Sequence, residues 1–247
     1  GVAVAGGSFA LDTAEDIADA AKVTLSVARN VPNKINEWAE ILISKVGSDK
    51  ISKVLDEISD SSSKNTVRKA IDKNQLRKAG FSPDEAEELV DTGVSVERAS
   101  SLSEAGLTSD RIAQLKRGDE VELERLDTWL TDLRNRDTDG YNDLVSRINE
   151  GNVGELAEAQ VASKYDNTEA VGKDIQSTDI DVLLNDGTMI EVKRGGNLEG
   201  ISEGSEKFRS IKSEYGTKIA KYRNYNSDGE VVFEFKMEIP DIVRDWL

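Results

Sequence analysis

Apolar residues recur every three or four positions through most of the first 150 residues. The pattern is regular in residues 12–31, 35–46, 49–59, 126–136 and 141–149, and this spacing predicts helices. The run Ser61-Ser62-Ser63 interrupts the pattern and predicts a loop. No stretch approaches the ~20 apolar residues that cross a bilayer, so we expect no membrane span.

A 13-residue repeat lies in the middle of the chain. Its units begin at Gly80, Gly93 and Gly106 and read GFSPDEAEEL, GVSVERASSL and GLTSDRIAQL. Each unit predicts a glycine that ends one helix and a hydroxyl that caps the next. The capping residues are Ser82, Ser95 and Thr108. We interpret these acidic units as a helical connector or docking region, with direct DNA reading as the alternative.

Near residue 150 the pattern changes. A helix at 152–165 precedes predicted strands at 179–185, 188–193 and 230–239, with a basic helix at 205–223 and a short helix at 241–247. We predict an α+β multidomain protein, in which an all-α N-terminal and central region with short helical repeats precedes a C-terminal α/β domain with a central mixed β-sheet. The predicted domains are 1–63, 64–149 and 150–247.

The strands at 179–185 and 188–193 predict a hairpin whose charged residues share one face. If residues 185–187 (Asn-Asp-Gly) form a three-residue turn, Asp181 lies opposite Glu191 and Asp179 lies opposite Lys193. Because side chains alternate along a strand, all four project from one face. The other face is apolar and carries Ile180, Val182, Leu184, Ile190 and Val192.

Composition limits the chemistry available to this charged face. The chain has no cysteine and no histidine, which excludes disulfides, thiolate nucleophiles, histidine bases and histidine zinc sites. Asp181 and Glu191 would repel each other unless a cation lies between them, and Mg²⁺ or Mn²⁺ favours carboxylates, carbonyl oxygens and water. Lys193 would reach the same cavity, where it can hold a water or stabilise charge on a phosphate.

Asp181, followed by Glu191-Val192-Lys193 between apolar strands, resembles the motif of the PD-(D/E)xK nuclease superfamily. The resemblance covers only the predicted C-terminal domain and implies a restriction-endonuclease-like fold. It implies that Asp181, Glu191 and the backbone carbonyl of Val192 bind the metal and that Lys193 is catalytic. It also implies a carboxylate on the preceding helix, and Glu155 is the candidate.

Two carboxylates of this region have alternative roles. Glu155 also fits a capping box with Asn152, in which case Glu158, one turn later, is the catalytic candidate. Asp179 is either a partner of Lys193 or an additional metal ligand.

A net charge of −16 opposes binding of nucleic acid at long range. Between residues 207 and 223, however, six basic residues accompany one acidic residue, and we predict that this segment contacts phosphates. The tyrosines of this segment either stack on bases or pack on the sheet, and we favour packing. The basic residues are Lys207, Arg209, Lys212, Lys218, Lys221 and Arg223, and the tyrosines are Tyr215, Tyr222 and Tyr225.

The resemblance therefore implies a Mg²⁺- or Mn²⁺-dependent endonuclease that acts on DNA or tRNA. The chain does not begin with methionine, and we expect it to be the C-terminal toxin of a longer polymorphic toxin of the contact-dependent-inhibition type. Such a toxin would act in the cytoplasm of a target cell and be held in check by a cognate immunity protein. The alternatives are a Holliday-junction-resolvase-like, repair or restriction nuclease, and a non-catalytic helical interaction protein.

Overall fold

The computed structural model describes residues 39–41, 43–44, 47–54, 61–175, 178–194, 198 and 200–247. The chain divides into two compact units, Gly1–Ser100 and Ser101–Leu247. The division falls within the helical repeats, so the helices after residue 100 belong to the same unit as the sheet. The predicted three-part organisation stays a prediction, whereas the mixed α+β content is confirmed.

Helices dominate the described residues up to position 164. They are α1 (Ser48–Val54), α2 (Ser61–Lys78), α3 (Pro83–Asp91), α4 (Val96–Glu104), α5 (Ser109–Gly118), α6 (Leu123–Asn135), α7 (Tyr141–Asn149) and α8 (Gly154–Lys164). The helix predicted at 12–31 lies outside the described residues, and the one at 35–46 is described only in part. The loop predicted at Ser61–Ser63 is wrong, because α2 begins at Ser61. None of the helices described here has the length and apolar character to cross a membrane.

The 13-residue repeat is confirmed as three successive helix ends and starts. Gly80, Gly93 and Gly106 have φ values of +104°, +76° and +99°, which is the left-handed region that glycine enters most readily. The amide after each glycine bonds to a carbonyl five residues earlier, as in Val94 N to Leu89 O at 3.0 Å. Each predicted hydroxyl then accepts from an amide of the next helix. The cap bonds are Glu85 to Ser82, Arg98 to Ser95 and Arg111 to Thr108.

A four-stranded sheet follows helix α8. Its strands are β1 (Thr168–Ile175), β2 (Thr178–Leu184), β3 (Met189–Lys193) and β4 (Val231–Phe235), in that spatial order. The first three strands are antiparallel neighbours, and β4 pairs parallel to β3. Helix α9 (Glu206–Tyr225) connects β3 to β4, and a short helix α10 (Asp241–Arg244) follows. The sequence pattern does not predict β1, and the strand predicted at 230–239 ends at Phe235.

The predicted hairpin turn and register are confirmed. Val182 pairs with Ile190 and Leu183 pairs with Met189. Gly187 has a φ of +87°, and the Leu184 amide donates to the Thr188 carbonyl at 2.9 Å. Both faces of the hairpin are buried, because Leu183 and Met189 pack with Tyr222 of α9 in one apolar cluster. The charged residues of this face therefore lie beside a protein core.

The segment before helix α7 pairs with β1. The Asp139 amide donates to the Glu169 carbonyl at 3.0 Å, and the Val171 amide donates to the Asp139 carbonyl at 2.9 Å. Gly140 follows at a φ of +78°, and a Cβ at this position would overlap the Val171 carbonyl oxygen. Only glycine satisfies both conditions, so this residue fixes the start of α7 against the sheet.

Candidate active site

Two acidic side chains of the predicted motif are buried beneath helix α9. Asp181 on β2 is 7% exposed and Glu191 on β3 is 1% exposed. Burial of a carboxylate is unfavourable unless it is paired or protonated. The two side chains meet this requirement in different ways.

Glu191 is surrounded by donors. Its Oε1 lies 2.7 Å from Nζ of Lys193, and its Oε2 lies 2.9 Å from Nζ of Lys218. The Tyr222 hydroxyl also hydrogen-bonds to Oε2 and lies 2.9 Å from the Asp179 carbonyl oxygen. Two ammonium groups and a phenol thus contact the two oxygens of the Glu191 carboxylate. Proximity to this carboxylate and burial raise the pKa of the Tyr222 phenol, burial contributing more.

Lys193 is poised as a protonated ammonium. Burial by itself would lower its pKa, but the hydrogen bond and charge of Glu191 outweigh burial and raise the pKa. A second carboxylate, that of Glu214 on α9, lies 3.7 Å from the same Nζ. The Tyr215 ring centroid is 5.6 Å from it. This environment keeps a positive charge at the end of β3.

Asp181 differs from Glu191, because no lysine contacts its carboxylate among the described ion pairs. Its Oδ2 accepts a hydrogen bond of 2.7 Å from the Val192 backbone amide. Burial raises the pKa of Asp181, and the negative charge of Glu191 raises it further. The Val192 bond and Lys218 act in the opposite direction but do not compensate. Asp181 therefore lacks a cation of its own.

Glu158 on helix α8 also has a carboxylate without a paired cation in the described part of the chain. Its Oε2 is buried and has no hydrogen-bond partner among the described residues. Burial raises the pKa of Glu158 to about 8, and Asp181 and Glu155 add electrostatic repulsion. A buried carboxylate oxygen without a partner, beside a second carboxylate, is an arrangement that a cation would stabilise.

Glu155, the first candidate from the sequence, is engaged elsewhere. Its Oε1 lies 3.4 Å from Nε of Arg147 on helix α7. The alternative capping box is wrong, because Val153 precedes the helix and no side-chain cap bond forms. Of the two glutamates on α8, Glu158 is the one with an unpaired buried oxygen.

Asp179 pairs with two cations other than the predicted Lys193. Its Oδ1 lies 3.7 Å from Nζ of Lys218, and its Oδ2 lies 3.9 Å from a terminal nitrogen of Arg147. The Lys218 Nζ also donates to the Asp179 carbonyl at 3.1 Å. Asp179 thus orients both cations at the edge of the site.

The basic residues of α9 divide between two flanks of the helix. At 3.6 residues per turn, Lys207, Lys218 and Lys221 share a flank with Glu214, which contacts Lys193. The other three basic residues lie on the opposite flank, where Lys212 covers the Phe208 and Trp246 rings at 5.3 Å. The remaining two are Arg209 and Arg223, both exposed. The predicted phosphate-binding segment is therefore two surfaces.

The prediction that the tyrosines of α9 are packed in the protein is confirmed for two of the three. Tyr215 and Tyr222 are buried, whereas Tyr225 is 48% exposed. The sequence pattern does not identify the contact of Arg147 with Glu155. It also does not identify the contacts of Lys218 and Tyr222 with Glu191. The spacing of Lys218 and Tyr222, four residues apart and hence on one helix face, is the signal that favours a joint role.

The residues present fit a divalent cation at Asp181 and Glu158. No group of three or more acidic side chains among the described residues is close enough to form a complete metal cage. Mg²⁺ does not require one, because it keeps several waters and binds proteins through one or two carboxylates. The unpartnered Glu158 oxygen and the raised pKa of Asp181 are the observations that fit such an ion.

Comparisons with protein-family models, with curated proteins and with solved structures find no significant match for this chain.

Proposed function

We propose that this chain is a metal-dependent endonuclease that hydrolyses phosphodiester bonds in nucleic acid. The observation that carries the proposal is the group formed by the buried Asp181 and Glu191 and the partly exposed Glu158, Lys193 and Lys218. Two of the carboxylates lack a cation, and the third is neutralised by both lysines. This combination of uncompensated acids beside fixed ammonium groups matches what transfer of a phosphoryl group to water requires.

Asp181 and Glu158 are the proposed metal ligands, with the Val192 carbonyl as a further oxygen donor. A bound Mg²⁺ or Mn²⁺ supplies Lewis acidity toward a phosphate oxygen and lowers the pKa of a bound water. Glu155 orients helix α8 through Arg147, a positioning role in place of the ligand role that the resemblance implies.

Lys193 is proposed to stabilise charge on the phosphate. Its Nζ has donors to spare after bonding Glu191 at 2.7 Å, because an ammonium carries three protons. The raised pKa keeps it protonated at neutral pH, so it donates to a phosphate oxygen and does not serve as a general base. Glu191 and Tyr222 fix its position.

Lys218 is proposed to supply a second positive charge, on the other oxygen of the Glu191 carboxylate. Its bonds to Glu191 and to the Asp179 carbonyl orient the ammonium beside the carboxylates. On the same helix flank, Lys207 and Lys221 extend positive charge away from the site. A local basic flank can position a phosphate backbone although the whole chain is acidic.

The test is cleavage of plasmid DNA and of tRNA with Mg²⁺ or Mn²⁺ and with EDTA. We expect cleavage by the unmodified chain only when the metal is present. Asp181→Asn and Lys193→Gln should each lower the rate about 100-fold or more. The matched changes Asp228→Asn and Lys116→Gln, both at exposed positions, should leave the rate unchanged. Absence of cleavage, or equal rates in all four variants, would contradict an enzymatic function and favour a non-catalytic interaction protein.

The biological setting that we propose is toxicity toward a target cell, with an immunity protein as inhibitor. Expression of the unmodified chain in the cytoplasm should arrest growth, and Asp181→Asn should relieve the arrest. If the chain instead cleaves four-way junctions faster than plasmid DNA and tRNA, and the expressing cells grow normally, a resolvase-like or repair nuclease is favoured.

A further inference from the structure

The two edge strands of the sheet differ in how they are protected. On β1, the segment before α7 pairs with the outer edge through Asp139 and Ala170, and the register shifts between Thr168 and Ala170. Both features hinder the addition of another strand. Strand β4 pairs with β3 without a register shift and contains no proline from Val231 to Phe235. Among the described residues no strand pairs with its outer edge, so the sheet ends on one open edge.

Every second residue of β4 presents its backbone to this open edge. The Met189 amide donates to the Glu230 carbonyl at 2.8 Å, and the Lys236 amide donates to the Lys193 carbonyl at 2.9 Å. Because backbone groups alternate in direction along a strand, these two bonds show that the even-numbered residues face β3. The odd-numbered residues direct their amides and carbonyls outward, and none of these groups bonds to another segment within the described part of the chain. They are Val231, Phe233 and Phe235.

The side chains of β4 suit pairing with a copy of the same strand. Glu230 and Lys236 lie at opposite ends of the strand and, an even number of residues apart, on one face. Glu230 is exposed. The Lys236 ammonium bonds to Gln160 at 2.8 Å and, because it carries three protons, retains donors for another acceptor. The opposite face is apolar and carries three partly exposed side chains, those of Val231, Phe233 and Phe235.

We propose that β4 pairs antiparallel with β4 of a second copy, about a two-fold axis at Phe233, so that the chain forms a homodimer with one continuous sheet. Phe233 then lies opposite its own copy, and Val231 lies opposite Phe235. At the two ends of the paired strands, Glu230 lies opposite Lys236. Aromatic, apolar and oppositely charged cross-strand pairs are stabilising. The inference does not depend on the proposed nuclease function, and neither result decides the other.

Other registers of the same pairing are less favourable. An axis at Val232 places Glu230 opposite Glu234, and an axis at Glu234 places this residue opposite its own copy. Like charges directly opposite each other destabilise a strand pair. An axis at Val231 or at Phe235 would pair residues that lie outside β4. The charge pattern and the length of the strand therefore select one register.

The first experiment measures the oligomeric state of the full chain in EDTA and without a substrate. Gel filtration with light scattering is run from about 1 to about 200 µM, a range that includes the micromolar Kd of weak interfaces. The mass should rise with concentration from 27.0 kDa toward twice that value. A chain that remains monomeric over the whole range would overturn the proposal and leave the edge of β4 to a strand of a different protein.

The second experiment reverses the charges at the ends of β4. Glu230→Lys and Lys236→Glu each place like charges opposite each other at both ends of the dimer interface, and each should weaken dimerisation about 10-fold or more. Combining the two changes restores opposite charges, so the Kd should return to within about threefold of the unmodified chain. Glu150→Lys and Lys116→Glu make the same changes at exposed positions outside the strand and are the matched controls. An unchanged Kd in both single variants would overturn the assignment to β4.

A single cysteine tests the register. The chain has no cysteine, so Phe233→Cys introduces one thiol that lies opposite its own copy. Opposed residues of a hydrogen-bonded antiparallel pair have Cα atoms about 5.5 Å apart, within the ~4.4–6.8 Å that disulfides span. Oxidation with copper phenanthroline should trap a covalent dimer. Val231→Cys is the control, because its two copies lie four residues apart along the strands, at least about 13 Å at ~3.3 Å per residue.

The folding of each variant is checked by circular dichroism melts. If Phe233→Cys or Lys236→Glu does not fold, Glu230→Lys provides the decisive comparison, because it changes an exposed side chain. Equal crosslinking of the two cysteine variants would overturn the register. Dimerisation together with crosslinking of Phe233→Cys alone and restoration of the Kd by the double charge reversal would support the proposed pairing.

Discussion

Replacing Glu158 by glutamine should stabilise the protein at neutral and alkaline pH in the absence of metal. Glu158→Gln preserves the size and shape of the side chain but cannot ionise. In the folded chain, burial and the neighbouring acids raise the pKa of Glu158 from 4.5 to about 8. The folded state therefore retains a proton that the unfolded state releases. The stability due to this proton is complete below about pH 4.5 and is lost as pH rises toward 8.

The size of the effect follows from these two values. A pKa moved from 4.5 to about 8 corresponds to roughly 4–5 kcal/mol above pH 8, at about 1.4 kcal/mol for each pH unit between them. We expect the free energy of unfolding of Glu158→Gln to exceed that of the unmodified chain by a few kcal/mol at pH 8. Near pH 5 the two free energies should be about equal. At about 2–4 °C per kcal/mol for a chain of this length, the difference in Tm is about 10 °C.

The assay is a series of thermal and urea melts at pH 5, 6, 7 and 8 in EDTA. Glu150→Gln, at an exposed position at the end of α7, is the matched control and should change stability by less than about 0.5 kcal/mol at every pH. Added Mg²⁺ should stabilise the unmodified chain at pH 8 but not Glu158→Gln. A variant of equal or lower stability at pH 8, or a difference independent of pH, would refute the reasoning.

Four further substitutions test other parts of the structure. Tyr222→Phe removes the hydroxyl that bonds to Glu191 and should destabilise the fold by about 1–3 kcal/mol in urea melts. Lys193→Gln removes one of the two ammonium groups that pair with the buried Glu191 carboxylate, so it should lower the free energy of unfolding by about 1–3 kcal/mol and abolish most metal-dependent cleavage. Gly140→Ala forces a Cβ into the backbone of β1 and should destabilise by at least about 2 kcal/mol, visible as a lower Tm. Ser95→Ala removes a helix cap and should lower unfolding free energy by about 1 kcal/mol.

Each substitution has a control, which makes the same chemical change at a position that lacks the contact being tested. Tyr215→Phe removes a hydroxyl that does not bond Glu191, so equal losses in both tyrosine variants would contradict the contact. Gly151→Ala shares the positive φ, at +94°, but meets open space, so it should cost less than Gly140→Ala. Lys116→Gln should retain cleavage. Ser103→Ala, at an exposed position within α4, should not destabilise, and a loss equal to that of Ser95→Ala would argue against the cap.

Features encoded within a few residues are predictable from this sequence. Each repeat contains glycine, an apolar residue and a hydroxyl residue in succession, and these determine the end of one helix and the start of the next. The hairpin register likewise follows from the turn at 185–187 and from alternation, since a slip of one residue would move Val182 and Ile190 out of the core. In both cases the interactions that decide the conformation are local.

Strand β1 is not predictable in the same way. The register shifts between Thr168 and Ala170, which breaks the alternation, and Gly172 adopts a φ of +59° beside the Arg147 guanidinium. Pairing with β2 supplies the hydrogen bonds that local pattern does not indicate. The serines at the start of α2 show the opposite error, because their low helix propensity costs only tenths of a kcal/mol each and packing of Val67 and Ile71 outweighs it.

The candidate site is predictable from local sequence on the hairpin and, as an alternative to Glu155, at Glu158 on helix α8. Asp181, Glu191 and Lys193 follow from strand periodicity, whereas Lys218 and Tyr222 reach Glu191 because helix α9 packs on the sheet. Sequence spacing cannot state which face of a helix will dock. The sequence therefore predicts that Lys218 contacts phosphate at the surface. In the structure this lysine pairs with the buried carboxylate of Glu191.

The parallel pairing of β4 with β3 makes helix α9 a crossover, and this sets the order in which the site matures. The hairpin can form from neighbouring residues, but its partners Lys218 and Tyr222 arrive only when α9 and β4 have been synthesised and docked. Until then Glu191 has one ammonium partner, Lys193, in place of two, and its burial is incomplete. A nascent chain should therefore lack the complete cluster after the hairpin has emerged from the ribosome, and the proposed activity becomes a property of the finished fold.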